Sequence, residues 1–84
     1  MQLKQSVAYE KLGNTVYLSA DNGIFLLENE MSAYIFELLK KEHSLTEIKE
    51  KVKNFKLINE YSMMDRDKFV ENLLAELYKN SIIY

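Results

Sequence analysis

Gly23-Ile24-Phe25-Leu26-Leu27-Glu28-Asn29-Glu30-Met31-Ser32-Ala33-Tyr34-Ile35-Phe36-Glu37-Leu38-Leu39 is a short apolar strand that feeds directly into a capped amphipathic helix. Ile24 to Leu27 form a short apolar run that follows a turn signal, as a strand does. Asn29 is placed as the helix N-cap, because its side-chain oxygen can accept from a free backbone N–H of the next turn. Met31, Tyr34, Ile35, Leu38 and Leu39 then recur at helical spacing and define one buried face. Lys40 and Lys41 follow where the helix dipole favours cations.

Upstream, Val7 to Leu12 reads as a strand, and Leu12-Gly13-Asn14 as a turn in which Gly13 or Asn14 takes positive φ. Thr15-Val16-Tyr17-Leu18-Ser19 is β-branched and aromatic, a strand composition. Asp21-Asn22-Gly23 is a second turn carrying the Asn-Gly hairpin signal. These segments predict a meander of three antiparallel strands. Downstream, Ser44-Leu45-Thr46-Glu47 is a capping box opening a second helix, with Leu45, Ile48, Val52 and Phe55 expected inward. Lys56 to Tyr61 reads as irregular, with Leu57 and Ile58 tucked against the core. Ser62-Met63-Met64-Asp65 caps a third helix running to about Asn80, whose residues Phe69, Val70, Leu73, Leu74, Leu77 and Tyr78 form a wide apolar stripe. Ile82-Ile83-Tyr84 is an apolar tail expected to fold back. The fold class predicted is α+β: a three-stranded antiparallel sheet followed by three helices, winged-helix-like.

The 84 residues predict a single domain, 1–84, with a modest core and little room for a deep active site. Cysteine is absent, which excludes disulfides and thiolate metal sites and suits a reducing cytoplasm. No apolar run approaches the roughly 20 residues that span a bilayer, and Met1-Gln2-Leu3-Lys4-Gln5 lacks a signal peptide's apolar stretch. The net charge of −2 gives no global pull toward nucleic acid or an acidic membrane.

Catalytic candidates are few. His43 is the only histidine and stands between helices with no positioned nucleophile nearby in sequence. Asp65-Arg66-Asp67-Lys68 resembles part of a calcium loop but lacks its glycine and terminal glutamate. There is no glycine-rich phosphate loop. The expectation is a binding module, with no enzyme activity, no cofactor and no metal. Lys40, Lys41, Lys49, Lys51, Lys53 and Lys56 make the middle of the chain locally basic, but Glu42, Glu47 and Glu50 balance them, and Arg66 is the only arginine. A small winged-helix DNA-binding regulator is therefore an alternative reading rather than the leading one. A structural or dimerisation subunit is another, and a homodimer is left open.

The working surface expected is the edge strand together with the last helix. An edge strand offers unpaired N–H and C=O groups to another strand. Alternation along Ile24-Phe25-Leu26-Leu27 lets one pair face the core while the other borders a groove. The wide stripe of the third helix supplies the second wall.

Leu27-Glu28-Asn29-Glu30-Met31-Ser32-Ala33-Tyr34-Ile35-Phe36-Glu37-Leu38-Leu39 resembles the Leu-Asn-Glu-Thr-Ala-x-x-Ile-Trp-Glu-Leu-Leu segment of the PqqD-like family, with Glu28 inserted. Ser44-Leu45-Thr46-Glu47-Ile48 is similar to the start of that family's second helix, and Phe69 to Leu77 to its third, with Ile82-Ile83 as its apolar ending. The resemblance covers roughly residues 7 to 84. The family's Asp-Gly after the first helix is Lys40-Lys41-Glu42-His43 here, the glycine before the apolar pair is replaced in Asn80-Ser81, and the tryptophan is Phe36.

The resemblance implies a stand-alone recognition element for ribosomally synthesised, post-translationally modified peptides. It implies binding of a precursor leader as an added strand on the third β-strand, in a groove against the third helix. The bound leader would be presented to a modifying enzyme: a radical SAM enzyme, a leader protease or a cyclase. Candidate peptide-binding residues are Ile24, Phe25, Leu26, Leu27, Arg66, Phe69, Val70, Leu73 and Leu77, with Arg66 and Lys68 as contacts for leader carboxylates. No nucleic acid and no membrane are expected as partners.

Overall fold

A computed structural model describes residues 2–21, 23–55 and 63–84, the last stretch with side chains from Arg66 onward. Three strands, β1 (Ala8–Leu12), β2 (Thr15–Ala20) and β3 (Gly23–Leu27), precede three helices, α1 (Glu30–Lys40), α2 (Leu45–Lys53) and α3 (Met63–Lys79). The sheet is antiparallel in the order β1-β2-β3, with Leu12 opposite Thr15 and Ala20 opposite Gly23. This is the α+β architecture of three strands then three helices that the sequence predicts. Both hairpins are tight. Gly13 takes φ +62° and Gly23 φ +123°, backbone states that side chains disfavour. Strand β1 begins one residue later than the apolar pattern suggests. The Val7 N–H donates to the Lys4 carbonyl at 3.1 Å in a turn, while the Val7 side chain is buried.

Sheet alternation sorts side chains between two faces. Val16 and Leu18 of β2 point into the core with their partners Leu27 and Phe25, and Tyr9 of β1, opposite Leu18, shares that face. Tyr9 meets the Phe36 ring edge-on at 5.2 Å, and the Lys40 ammonium sits 4.6 Å above the Tyr9 ring. Helix α1 is central: Met31, Ala33, Ile35, Phe36, Leu38 and Leu39 are all buried, and α1 packs on both β2 and α2. Asn29 caps it as expected, its Oδ1 accepting from the Ser32 N–H at 2.8 Å.

The capping box of α2 is present in full. Glu47 N–H donates to Ser44 Oγ at 3.2 Å, and Ser44 N–H donates to Glu47 Oε1 at 2.8 Å. Ile48 and Val52 are the buried residues of α2. Leu45 departs from expectation: it is exposed, because it is the first residue of the helix and burial starts one turn later at Ile48. Phe55 lies beyond the helix end and stacks on Tyr34, ring centroids 4.1 Å apart. The expectations for Leu57, Ile58 and the Ser62 cap fall outside the described residues.

Two helix ends show how the chain replaces glycine. At the end of α1, Glu42 takes φ +61°, its N–H donates to the Leu39 carbonyl, and the His43 N–H donates to the Leu38 carbonyl. At the end of α3, Ser81 takes φ +59°, its N–H donates to the Tyr78 carbonyl, and the Ile82 N–H donates to the Leu77 carbonyl. Both are Schellman caps, in which a left-handed residue lets two N–H groups satisfy the last carbonyls. Ile82 then packs inward beside Leu77, the apolar contact that accompanies this cap. The tail folds back as predicted. Leu3 pairs with Ile83 across a short antiparallel bridge, with Gln2 and Tyr84 exchanging two backbone hydrogen bonds of 2.8 Å.

Candidate functional site

Among the described residues, strand β3 lies at one edge of the sheet, paired with β2 on one side only. Alternate N–H and C=O groups on its other side are left for a further strand. Its side chains split as alternation dictates: Phe25 and Leu27 face the helices, while Ile24 (73% exposed) and Leu26 (42% exposed) lie on the opposite face with Tyr17.

Beside that free edge runs a groove of about 370 Å³. Strand β3 and the residue after it contribute Phe25, Leu26, Leu27 and Glu28. The start of α1 contributes Asn29 and Ser32, and α3 contributes Phe69, Asn72, Leu73 and Glu76. The apolar stripe of α3 supplies the helical wall by dividing in two. Val70, Leu74 and Leu77 turn into the core, whereas Phe69 and Leu73 are half-buried toward β3. Tyr78, expected in the stripe, is exposed.

Five of the nine residues singled out from sequence, Phe25, Leu26, Leu27, Phe69 and Leu73, line this groove. Of these, Leu27 is only 2% exposed and forms floor rather than wall. Ile24 lies outside it, by a small cavity shared with Gly23, Asn80 and Ile82. Two residues need correction. Val70 and Leu77 are 0% exposed and belong to the core, so their side chains offer no surface to a ligand.

Arg66 needs correction as well. Its Nη1 donates to the carbonyls of Val52 (2.7 Å), Lys53 (3.1 Å) and Phe55 (2.7 Å). The guanidinium thus gathers carbonyls at and just beyond the end of α2, of which Val52 also accepts from the Phe55 N–H at 3.2 Å. It ties α3 to α2 and does not line the groove. Lys68 is exposed and is not among the residues that line the groove. Glu28 ends the strand segment, Gly23 to Glu28, on which the leader was expected to pair; the residues missed by sequence reading are Asn29, Ser32, Asn72 and Glu76. Helical spacing held the signal for two of them, since Asn72 and Glu76 lie three and seven positions beyond Phe69 on one face.

The titration-shifted groups lie elsewhere. The Ser44 backbone N–H, then the Ser44 hydroxyl, hold the Glu47 carboxyl below its ordinary range, with help from His43. Glu71 is lowered and Lys49 raised by their mutual hydrogen bond of 2.7 Å, a contact between α3 and α2. None of these groups lines the groove. His43 Nδ1 lies 3.6 Å from a Glu47 carboxylate oxygen, a contact beside the helix cap. Among the described residues no group of three or more His, Asp or Glu is placed to hold a metal, and no helix is long and apolar enough to cross a membrane. Two lysines of the basic middle segment are matched by carboxylates, Lys40 by Glu37 at 3.0 Å and Lys49 by Glu71.

No family model matches the sequence, and no curated protein matches it significantly. By fold the chain is similar to TbiB1, solved in complex with the TbiA(beta) leader peptide, at a TM-score of 0.82 over 99% of this chain and 94% of that one. The two sequences are 16% identical, so the likeness is one of architecture.

Proposed function

We propose that this protein binds the leader region of a ribosomally synthesised precursor peptide by β-strand addition and presents it to a modifying enzyme. The observation that carries the reading is the free edge of β3 lying against an apolar groove walled by α3. Its likeness in fold to a protein solved with a leader peptide supports the same reading.

The physics of the binding step follows from that arrangement. A segment laid along Gly23–Leu27 gains backbone hydrogen bonds at each alternate residue, which give affinity without regard to sequence. Alternate side chains of the segment then point into the groove, over Phe25, Phe69 and Leu73, and supply selectivity. The rest of the segment's side chains fall beside Ile24 and Leu26. A strand of this length buries an area at the low end of specific interfaces, so affinity lies between roughly micromolar and nanomolar. The role is that of a carrier: a radical SAM enzyme, a leader protease or a cyclase would do the chemistry on the presented precursor, in the cytoplasm.

The test is fluorescence anisotropy with labelled leader peptides of ribosomal precursors encoded in the same genome, using the parent and Leu73→Asp. Both proteins are first checked for native circular dichroism. A loss of tenfold or more in affinity for folded Leu73→Asp is expected. Equal affinity would overturn the groove assignment. A parent that ignores the leader but shifts duplex DNA in a salt-sensitive manner would replace it with the DNA-binding reading.

A further inference from the structure

Glu28 and Glu76 are the charged residues that line the groove. Gly23 and Ile24 share a small cavity with Asn80 and Ile82, so the start of β3 lies by the end of α3. Asn80 is one turn beyond Glu76, as its side-chain amide donating to the Glu76 carbonyl at 2.8 Å marks. Glu28 follows the far end of β3. The two carboxylates therefore stand toward opposite ends of the groove, with Phe25, Phe69 and Leu73 between them.

Neither carboxylate has a cationic partner among the described residues. The α3 cation nearest Glu76 in sequence, Lys79, three residues on, forms no ion pair with it among the described residues. Arg66 is held by the carbonyls of Val52, Lys53 and Phe55. Both residues that carry the groove's charge, Glu28 and Glu76, are exposed, so an ion pair formed there is modest in strength and acts on which partners are admitted.

We infer that the segment taken by this groove is a basic one: apolar anchors at alternate positions with lysine or arginine at a flanking position of the same parity, and with acidic residues excluded there. The inference rests on the groove reading above. Strand geometry sets the pattern, since residues two apart share a face at a spacing of about 6.6 Å. Two anchors at positions i and i+2 fill the apolar middle, and a cation at i−2 or i+4 reaches Glu28 or Glu76. Charge opposition of this kind tunes selection among partners more than total affinity.

The test uses a phage-displayed library of random ten-residue peptides, selected separately on the parent, on Glu28→Gln/Glu76→Gln and on Leu73→Asp, each with native circular dichroism. On the parent, apolar alternation is expected, with lysine and arginine exceeding aspartate and glutamate about threefold over the input library. The glutamine double variant should keep the alternation and lose the basic excess. Alternation on the parent with neutral or acidic flanks, or a basic excess that survives the double variant, overturns the charge inference and leaves the groove reading standing. Selection of the same peptides by Leu73→Asp, or no enrichment on the parent, overturns the groove reading and the inference with it.

Discussion

Arg66 shows how one side chain can be placed by its partners rather than by its type. Its chemistry suits a carboxylate, and sequence reading offered it to the ligand. Its Nη1 instead serves three backbone carbonyls at the end of α2, 11 to 14 residues away in sequence. Backbone acceptors carry no sequence signature, so that role was not legible. Arg66→Met should therefore destabilise the fold by roughly 1.5–3 kcal/mol, the worth of hydrogen bonds from a charged donor. Urea unfolding checks it, with an unchanged m-value expected. At Glu42 the opposite change should stabilise. The residue holds φ +61° in a Schellman cap where glycine is unstrained, so Glu42→Gly should raise stability by about 0.5–1 kcal/mol. A lower melting temperature for this variant would mean that the Glu42 side chain contributes more than its backbone costs.

At the scale of elements, the sequence was most readable where a local signal had a local cause. The Asn29 cap, the Ser44/Glu47 box and the turn at Gly13 each involve residues within a few positions of one another. Periodicity was less sure of a face's limits. It gave Leu45 and Tyr78 to the interior, yet both are exposed, because spacing fixes a direction around a helix but not where the neighbouring layer ends. Leu38, 4% exposed in the middle of α1, should cost roughly 2–5 kcal/mol on truncation to alanine, against about 1 kcal/mol for Ser44→Ala. Thermal unfolding that reversed this order would contradict the packing described. The same capping box gives a pH dependence. The folded Glu47 carboxyl titrates below its unfolded value, so its contribution is present above the ordinary carboxylate range and fades as pH falls through the lowered value. The stability difference between the parent and Glu47→Gln should be constant near neutrality and shrink on going from about pH 5 to pH 3.

For the whole molecule, the strand order and the free edge of β3 followed from the sequence, and so did half of the groove's helical wall. The division of the α3 stripe did not. Val70 and Leu73 are equally apolar, and only the position of β3 beside α3 decides which turns to the core and which to the groove. The polar rim was invisible for a related reason: Glu28 and Glu76 are 48 positions apart in sequence and share a groove only once the sheet is folded against the helix.

The pairing of Gln2 with Tyr84 has a topological consequence. Two reciprocal backbone bonds of 2.8 Å join Gln2 to Tyr84, so residues 2 to 84 close into a ring whose covalent path has one gap. Moving that gap should cost little, because the closure is already made in the native state and the entropy of a loop varies slowly with its length. A circular permutant with a short glycine–serine linker from residue 84 to residue 2, reopened between Gly13 and Asn14, should keep the native circular dichroism spectrum and bind the same peptides as the parent. Loss of the fold would show that the continuity of the β1–β2 hairpin, rather than closure of the ring, holds the sheet in register.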